Sequence, residues 1–257
     1  MENEILTFLK RCTDRVQSEL KNLKNIDYGT TMGMGADGTP MKRIDELAES
    51  IVIDFIKDET DFGILSEEVG IVEGDGDGTV IMDPIDGTSN AVFGIPFYCI
   101  SLAYTEGGLR DTEVGYVKNL VSGVEYSAVL GEGSYVNGHQ LDPKLDDEWN
   151  FSVYLGKEAH PYSFEVASIP RRVRSLGAAA LEISMVAEGT FDLYYMKTFE
   201  QHRSLRITDI AASFLILKEA GGEIYDGDLE PIDMNLDPKE RKDVAAVHDD
   251  AVLEVLK

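Results

Sequence analysis

Two aspartates close an apolar run in 79-TVIMDPIDGTSN-90, three positions apart with a proline between them. Proline cannot donate to a strand ladder, so the pattern predicts that the chain turns between Asp83 and Asp86. Gly87, Thr88, Ser89 and Asn90 then supply a tight turn and hydroxyls suited to starting a helix. The first N–H groups of a helix are unpaired and lie at the positive end of its dipole, which makes an anion site. Carboxylates for cations beside backbone donors for an anion form a pairing that suits a phosphate bridged to metal ions.

Two further acidic signals share this character. Glu67 and Glu68 close the apolar stretch 62-FGILS-66, and Asp209 opens the strongly apolar 210-IAASFLIL-217. Taken singly, the glutamates read as an exposed charged turn and Asp209 as a helix cap. Convergence changes that reading, because two carboxylates about 4 Å apart repel by roughly 4 kcal/mol at an effective dielectric near 20. Together Glu67, Asp83, Asp86 and Asp209 would carry −4, which two divalent cations cancel. Oxygen-only donors select magnesium, manganese or calcium over zinc or copper. Coordination to such an ion makes water a better nucleophile at neutral pH.

The elements that must position these groups follow from periodicity. Apolar Ile5, Phe8, Leu9, Cys12, Val16 and Leu20 recur at helical spacing from Glu4 to about Leu23. Residues 41–59 repeat that pattern with Ile44, Leu47, Ile51 and Phe55 on one face. The glycine-rich 28–40 segment between them reads as a mobile loop. Residues 73–78, EGDGDG, read as a hairpin turn leading into the strand 79–83. Segments 97–108, 112–120 and 123–141 continue a meander in which Asn137-Gly138 is a hairpin turn. Beyond an acidic stretch around Asp142–Asn150, strands alternate with helices as far as 243–257. The pattern predicts a layered α+β architecture. An N-terminal α+β half with an antiparallel sheet would span residues 1–142, and a C-terminal α/β half residues 143–257.

Composition sets the outer limits. The chain of 257 residues carries a formal charge of −25, which excludes a nucleic-acid footprint and argues against docking on anionic membranes. Its two cysteines form no CxxC pair, and the four histidines lack ligand spacing, so neither a disulfide framework nor a zinc site is expected. The N-terminus is a charged amphipathic pattern without a signal-peptide core, and a cytoplasmic location is the expectation.

The motif DPIDGTSN resembles the DPxDGTxN signature of the inositol monophosphatase family of lithium-sensitive, magnesium-dependent phosphatases. Residues 64-ILSEEVG-70, 171-RRVRSLGAAALEISMVAEGTFDLYY-195 and 209-DIAASFLILKEAGG-222 resemble, in order, three further family segments. The stretch 35-GADGTPMKRIDELAE-49 is most similar to the archaeal branch, whose members often hydrolyse both inositol monophosphate and fructose 1,6-bisphosphate.

The resemblance implies an αβαβα sugar-phosphatase fold and a phosphomonoesterase working by in-line attack of a metal-activated water. It implies metal ligands at Glu67, Asp83, Asp86 and Asp209 with the carbonyl of Ile85, for two or three Mg2+ (Mn2+ as a substitute). Thr88, oriented by Asp45, and Glu67 would position and activate the water, and Asp37 would face a weaker third ion. Asp86, Gly87, Thr88, Arg174, Ala179 and Arg203 would meet the substrate. Arg203 and Arg206, with Arg174 and Arg172, would take a second phosphate or sugar hydroxyls, or pair with some of the chain's many acidic side chains. The partner is a small phosphate ester, and a homodimer is expected. Two departures stand out: Thr208 replaces a tryptophan before the last aspartate, and 196–207 is longer and more basic than in inositol-specific members.

Competing readings are weaker. A haloacid-dehalogenase nucleophile needs its aspartates two apart without an intervening proline. Residues 73–80 lack the twelfth-position glutamate of a calcium loop, and GEG at 131–133 lacks a strand–helix context for a dinucleotide. On the same fold, 3′-phosphoadenosine 5′-phosphate or NADP could replace the sugar phosphates, or the cluster could bind metal and anion without turnover.

Overall fold

The computed structural model describes residues 3–22, 27–36, 38, 40–143, 148–200 and 204–256. Asp37 and Arg203, both named above, lie outside the described residues. One sheet contains β3 (Gly63–Ser66), β4 (Gly70–Val72), β5 (Thr79–Asp86), β6 (Cys99–Thr105), β7 (Thr112–Asn119), β8 (Glu125–Val129), β9 (Gly133–Val136) and β10 (His139–Gln140). Its order is β10-β9-β8-β7-β6-β5-β3-β4. A second sheet contains β11 (Asn150–Val153), β12 (Arg172–Arg174), β13 (Leu193–Met196), β14 (Glu223–Tyr225) and β15 (Val244–Val247), in the order β12-β11-β13-β15-β14.

Alternating side chains divide the interior into three cores. Along β5, Val80 and Met82 join the core under α1 (Glu4–Asn22) and α2 (Arg43–Glu59), whereas Ile81 joins the core under α5 (Ala179–Glu188) and α6 (Ile207–Glu219). Along β13, Tyr194 and Met196 face that same middle core, while Leu193 and Tyr195 face α4 (Pro161–Val166) and α7 (Asp250–Glu254). The result is helix, sheet, helix, sheet, helix: the layered α+β architecture that the pattern predicts, in the order that the resemblance implies. Burying each such aliphatic or aromatic side chain stabilises the fold by roughly 1.5–3 kcal/mol.

Helix α6 is apolar around its whole circumference because it runs between two sheets. Its approach to β7 is close: a Cβ on Gly115 would lie 2.5 Å from the Ala212 carbonyl oxygen, so only glycine fits there. None of the described helices is long and apolar enough to cross a membrane.

Three expectations are corrected. The 28–40 segment is not a structureless loop but carries an antiparallel hairpin, β1 (Thr31–Met34) with β2 (Pro40–Lys42). Its side chains are mostly exposed, so no apolar alternation announced it. Residues 73–78 do not close a hairpin, because β3 lies between β4 and β5 and the segment crosses over it. The three-residue β4 is too short to show a period. Finally, β5 continues through Pro84 to Asp86. The missing N–H of Pro84 falls where the ladder to β6 shifts register between Asp83 and Asp86, so the strand survives as an irregularity. The Asn137-Gly138 turn forms as expected, with φ of 49° and 77°.

Candidate active site

Strands β3 and β5 run parallel, with Ser66 opposite Met82. Their carboxyl ends therefore share one edge, and Glu67 emerges beside Asp83. The N-termini of α3 (Thr88–Phe93), α5 and α6 point at the same edge. Carboxylate atoms of Glu67, Asp83 and Asp209 lie within 4.8 Å of one another. Asp83 and Asp209 are buried and Glu67 is half-buried.

Backbone donors hold each aspartate. Asp83 Oδ1 accepts from Ile85 N–H at 3.0 Å, an Asx turn at the irregularity within β5. Asp86 Oδ1 and Oδ2 accept from Ala179 N–H at 3.1 Å and Ala180 N–H at 2.7 Å, the first turn of α5. Asp209 Oδ2 accepts from Arg206 N–H at 2.7 Å. Asp209 thus caps α6 and also faces the cluster, so both readings of this residue hold at once.

The electrostatics suit a site that takes cations. Burial pushes the Asp83 carboxyl well above the usual range, and the charges of Glu67, Asp86 and Asp209 push it further. Burial and then Asp209 push Asp86 up to about 8. A donor set of oxygen atoms alone, carrying mutually repelling carboxylates, fits a hard divalent cation.

The hydroxyl side is equally ordered. Thr88 Oγ1 donates to Asp45 Oδ1 at 2.8 Å, with the Ile85 carbonyl 3.0 Å away as a second acceptor. Asp45 is buried rather than solvated, and its Oδ2 accepts from Lys42 N–H at 2.9 Å, capping α2. Gly87 has φ of 88°, and a Cβ there would meet Ala178 Cβ at 3.1 Å and the Gly177 carbonyl at 3.2 Å. Only glycine admits this turn against the loop before α5.

The arginines divide. Arg174 is exposed and donates to the Val173 carbonyl at 2.8 Å, and Arg172 is exposed beside it on β12. Arg206 is buried against the carboxylates, where Nη2 reaches Glu67 Oε1 and lies 3.0 Å from Asp209 Oδ1. It does not reach out to a second phosphate.

Several supporting residues escape sequence reasoning. Glu49 Oε1 accepts from Ser66 Oγ and, at 3.0 Å, from Val69 N–H, pinning both sides of the Glu67–Glu68 turn. Asn90 Nδ2 donates at 2.7 Å to both the Phe97 and Leu176 carbonyls, tying α3 to the loop before α5. Glu182 accepts from Leu176, Gly177 and Ala178 N–H and from Ser152 Oγ, fixing the other side of that loop. Glu49 lies one helical turn after Asp45, and that i, i+4 spacing on a half-apolar helix was the available signal.

Comparison with known proteins agrees with this geometry. The inositol monophosphatase family model matches residues 3–254. A fructose-1,6-bisphosphatase/inositol-1-monophosphatase of Methanothermobacter thermautotrophicus is 35% identical, over 86% of this chain and 83% of that protein. Its counterpart in Archaeoglobus fulgidus is 32% identical over 96% of this chain and 95% of that protein. A bifunctional NADP phosphatase/NAD kinase of Methanococcus maripaludis is 31% identical, over 79% of this chain and 40% of that protein. A crystal structure of an inositol monophosphatase–fructose 1,6-bisphosphatase superposes with a TM-score of 0.86 at 26% identity, covering 97% of each chain.

Proposed function

Because the chain belongs to the inositol monophosphatase family, we infer that it hydrolyses sugar and inositol phosphate monoesters at the Glu67–Asp83–Asp86–Asp209 cluster. One observation carries this reading: Glu67, Asp83 and Asp209, from distant parts of the chain, bring carboxylate atoms within 4.8 Å of one another. The relatives' names support inositol 1-phosphate and fructose 1,6-bisphosphate as substrates. Residues 1–142 would contribute Glu67, Asp83 and Asp86, and residues 143–257 would contribute Asp209.

Glu67, Asp83, Asp86, Asp209 and the Ile85 carbonyl would hold two or three Mg2+, with Mn2+ as a substitute. When bound, such ions supply positive charge for the phosphate and the leaving oxygen and make water a stronger nucleophile near neutral pH. The chain's own groups do the rest. The N–H groups of Gly87 and Thr88, at the N-terminus of α3, would seat the phosphate. Thr88 gives its proton to Asp45, so its oxygen is left to accept one from the attacking water. Burial raises the Asp45 carboxyl's affinity for a proton, against the pull of Lys42 N–H and Thr88, which suits a base at the end of this relay. Glu67, half-buried at the edge of the cluster, would orient the same water.

A second reading rests on the wall of the site. A cavity of about 180 Å³ beside Asp86 is lined by Tyr154, Ser175, Glu182, Tyr194, Met196 and Leu205. Its polar groups could meet sugar hydroxyls, and its aromatic and apolar members could carry the flat face of a base. A nucleotide such as NADP or 3′-phosphoadenosine 5′-phosphate is the second reading, in line with the NADP phosphatase relative. A homodimer and a cytoplasmic location complete the proposal.

Phosphate release from these four substrates, each with and without Mg2+, tests the reading. Magnesium-dependent turnover of at least one is expected. Failure on all of them, with metal binding intact, would leave a binding protein on a phosphatase fold.

A further inference from the structure

Arg206 is the residue immediately before α6, and its side chain is only 9% exposed. Its Nη2 donates to Glu67 Oε1 and, at 3.0 Å, to Asp209 Oδ1. Its Nε donates to Asp209 Oδ2 at 3.2 Å, the oxygen its own backbone N–H also reaches at 2.7 Å. One residue therefore grips both oxygens of Asp209 and one of Glu67. These belong to two of the three carboxylates that meet within 4.8 Å.

A guanidinium donates only and keeps its charge at every working pH. Against the −4 of Glu67, Asp83, Asp86 and Asp209 it sets +1, leaving −3 in place of the even number that two divalent ions neutralise. Arg206 occupies acceptor sites on the same two carboxylates that an ion would draw on. A divalent cation on Glu67 and Asp209 would face a fixed positive charge within hydrogen-bonding distance of its own ligands, which the buried setting screens poorly.

We propose that Arg206 is a built-in counter-cation that competes with divalent ions for Glu67 and Asp209. The guanidinium holds these two carboxylates together when no ion is bound. An ion loads there only by displacing it, so Arg206 sets the ion concentration at which the site fills. This rests on the reading of the cluster as a metal site and adds to it a residue that raises the loading threshold. It also gives a reason for a basic residue three positions before a metal-ligand candidate, where its charge works against metal binding.

The test reads ion binding rather than turnover. Full-length wild type, Arg206→Gln and Arg206→Lys would each be titrated with Mn2+, the free ion being counted by electron paramagnetic resonance. Each protein would also be melted in excess chelator, with circular dichroism as the check on folding. Glutamine removes the charge and lysine cannot span both carboxylates, so both variants should bind Mn2+ more tightly, Arg206→Gln by about tenfold or more. Arg206→Gln should melt below wild type in chelator, and the gap should close at saturating Mn2+. If Arg206→Gln does not fold in chelator, the affinity of Arg206→Lys decides. Unchanged or weaker Mn2+ binding in a folded variant would overturn the proposal while leaving the metal site intact. No Mn2+ binding by wild type or either variant would overturn the metal reading itself, and this proposal with it.

Discussion

Thr88 Oγ1 and Asp45 Oδ1 lie 2.8 Å apart although their residues are 43 positions apart in the chain. Asp45 spends its other oxygen on the backbone of Lys42, so its carboxylate cannot rotate away from Thr88. The pair therefore acts as one unit on whatever donates to the Thr88 oxygen. Thr88→Ala and Asp45→Asn should each lower kcat by about 10²–10⁴, with Mn2+ affinity nearly unchanged. The double variant should be no worse than the poorer single one, because the two residues serve one proton path. Additive losses measured by steady-state kinetics would separate them and remove the relay.

Asp83 and Asp209 reach the cluster from the carboxyl end of β5 and the first turn of α6, and both are buried there. Asparagine keeps their shape but removes the charge that attracts a cation. Asp83→Asn and Asp209→Asn should both lose Mg2+-dependent phosphate release and Mn2+ binding together. Near-normal rates in either variant would mean that ions, if bound, sit elsewhere. The cost to folding should be smaller for Asp83→Asn, since an amide at position 209 can still accept from Arg206 N–H but turns an NH2 toward the guanidinium that Asp209 binds through both oxygens.

Much of this site was legible before any coordinates. Helical spacing in 4–22 and 43–59 and the apolar run of α6 are long, periodic signals, and the helices form close to where they were expected. Asp83 and Asp86 stand out because two like charges close one apolar run, whereas Asp209 by itself reads as a helix cap and joins them only through the family resemblance. The hairpin at 31–42 did not stand out, since its exposed strands carry no alternation. Pro84 misled for a physical reason: a proline breaks a ladder only where its N–H is needed, and here the register shift removes that need. For Arg206 the sequence leaves two readings, a substrate group or a partner of acidic side chains, and the structure bears out the second. Only the fold brings Glu67, 139 positions away, against its guanidinium.

Glu49 illustrates a residue whose effect should pass through another. Its Oε1 receives Ser66 Oγ and Val69 N–H, one on each side of Glu67 and Glu68. Glu49→Ala would leave the fully buried Ser66 hydroxyl without this partner and would also free Val69 N–H, at a cost of about 1–3 kcal/mol. For a chain of this size that lowers Tm by roughly 2–4 °C per kcal/mol. Loosening the turn should raise the Mg2+ concentration needed for half-maximal rate while kcat at saturating Mg2+ stays close to wild type. A variant that melts lower but shows an unshifted Mg2+ dependence would make Glu49 purely structural.

Cys12 offers a test of burial by chemistry. It lies inside the core between α1 and α2, fully buried and without a disulfide partner. Burial pushes its thiol up to about 12, with the Glu59 charge adding to the rise and Arg15 opposing it. Alkylating reagents attack the thiolate, so reactivity follows the deprotonated fraction. A raised thiol pKa moves that fraction to higher pH. At pH 8 only about one thiol in 10⁴ is ionised, against roughly a quarter for a free cysteine near pKa 8.5. Native protein treated with iodoacetamide at pH 8 should therefore show no adduct at Cys12 by mass spectrometry over hours, and complete labelling in urea. Labelling in the folded protein at a rate close to that in urea would mean that α1 lifts from the sheet. The apolar stripe Leu9–Cys12–Val16 would then not be the anchor that its burial indicates.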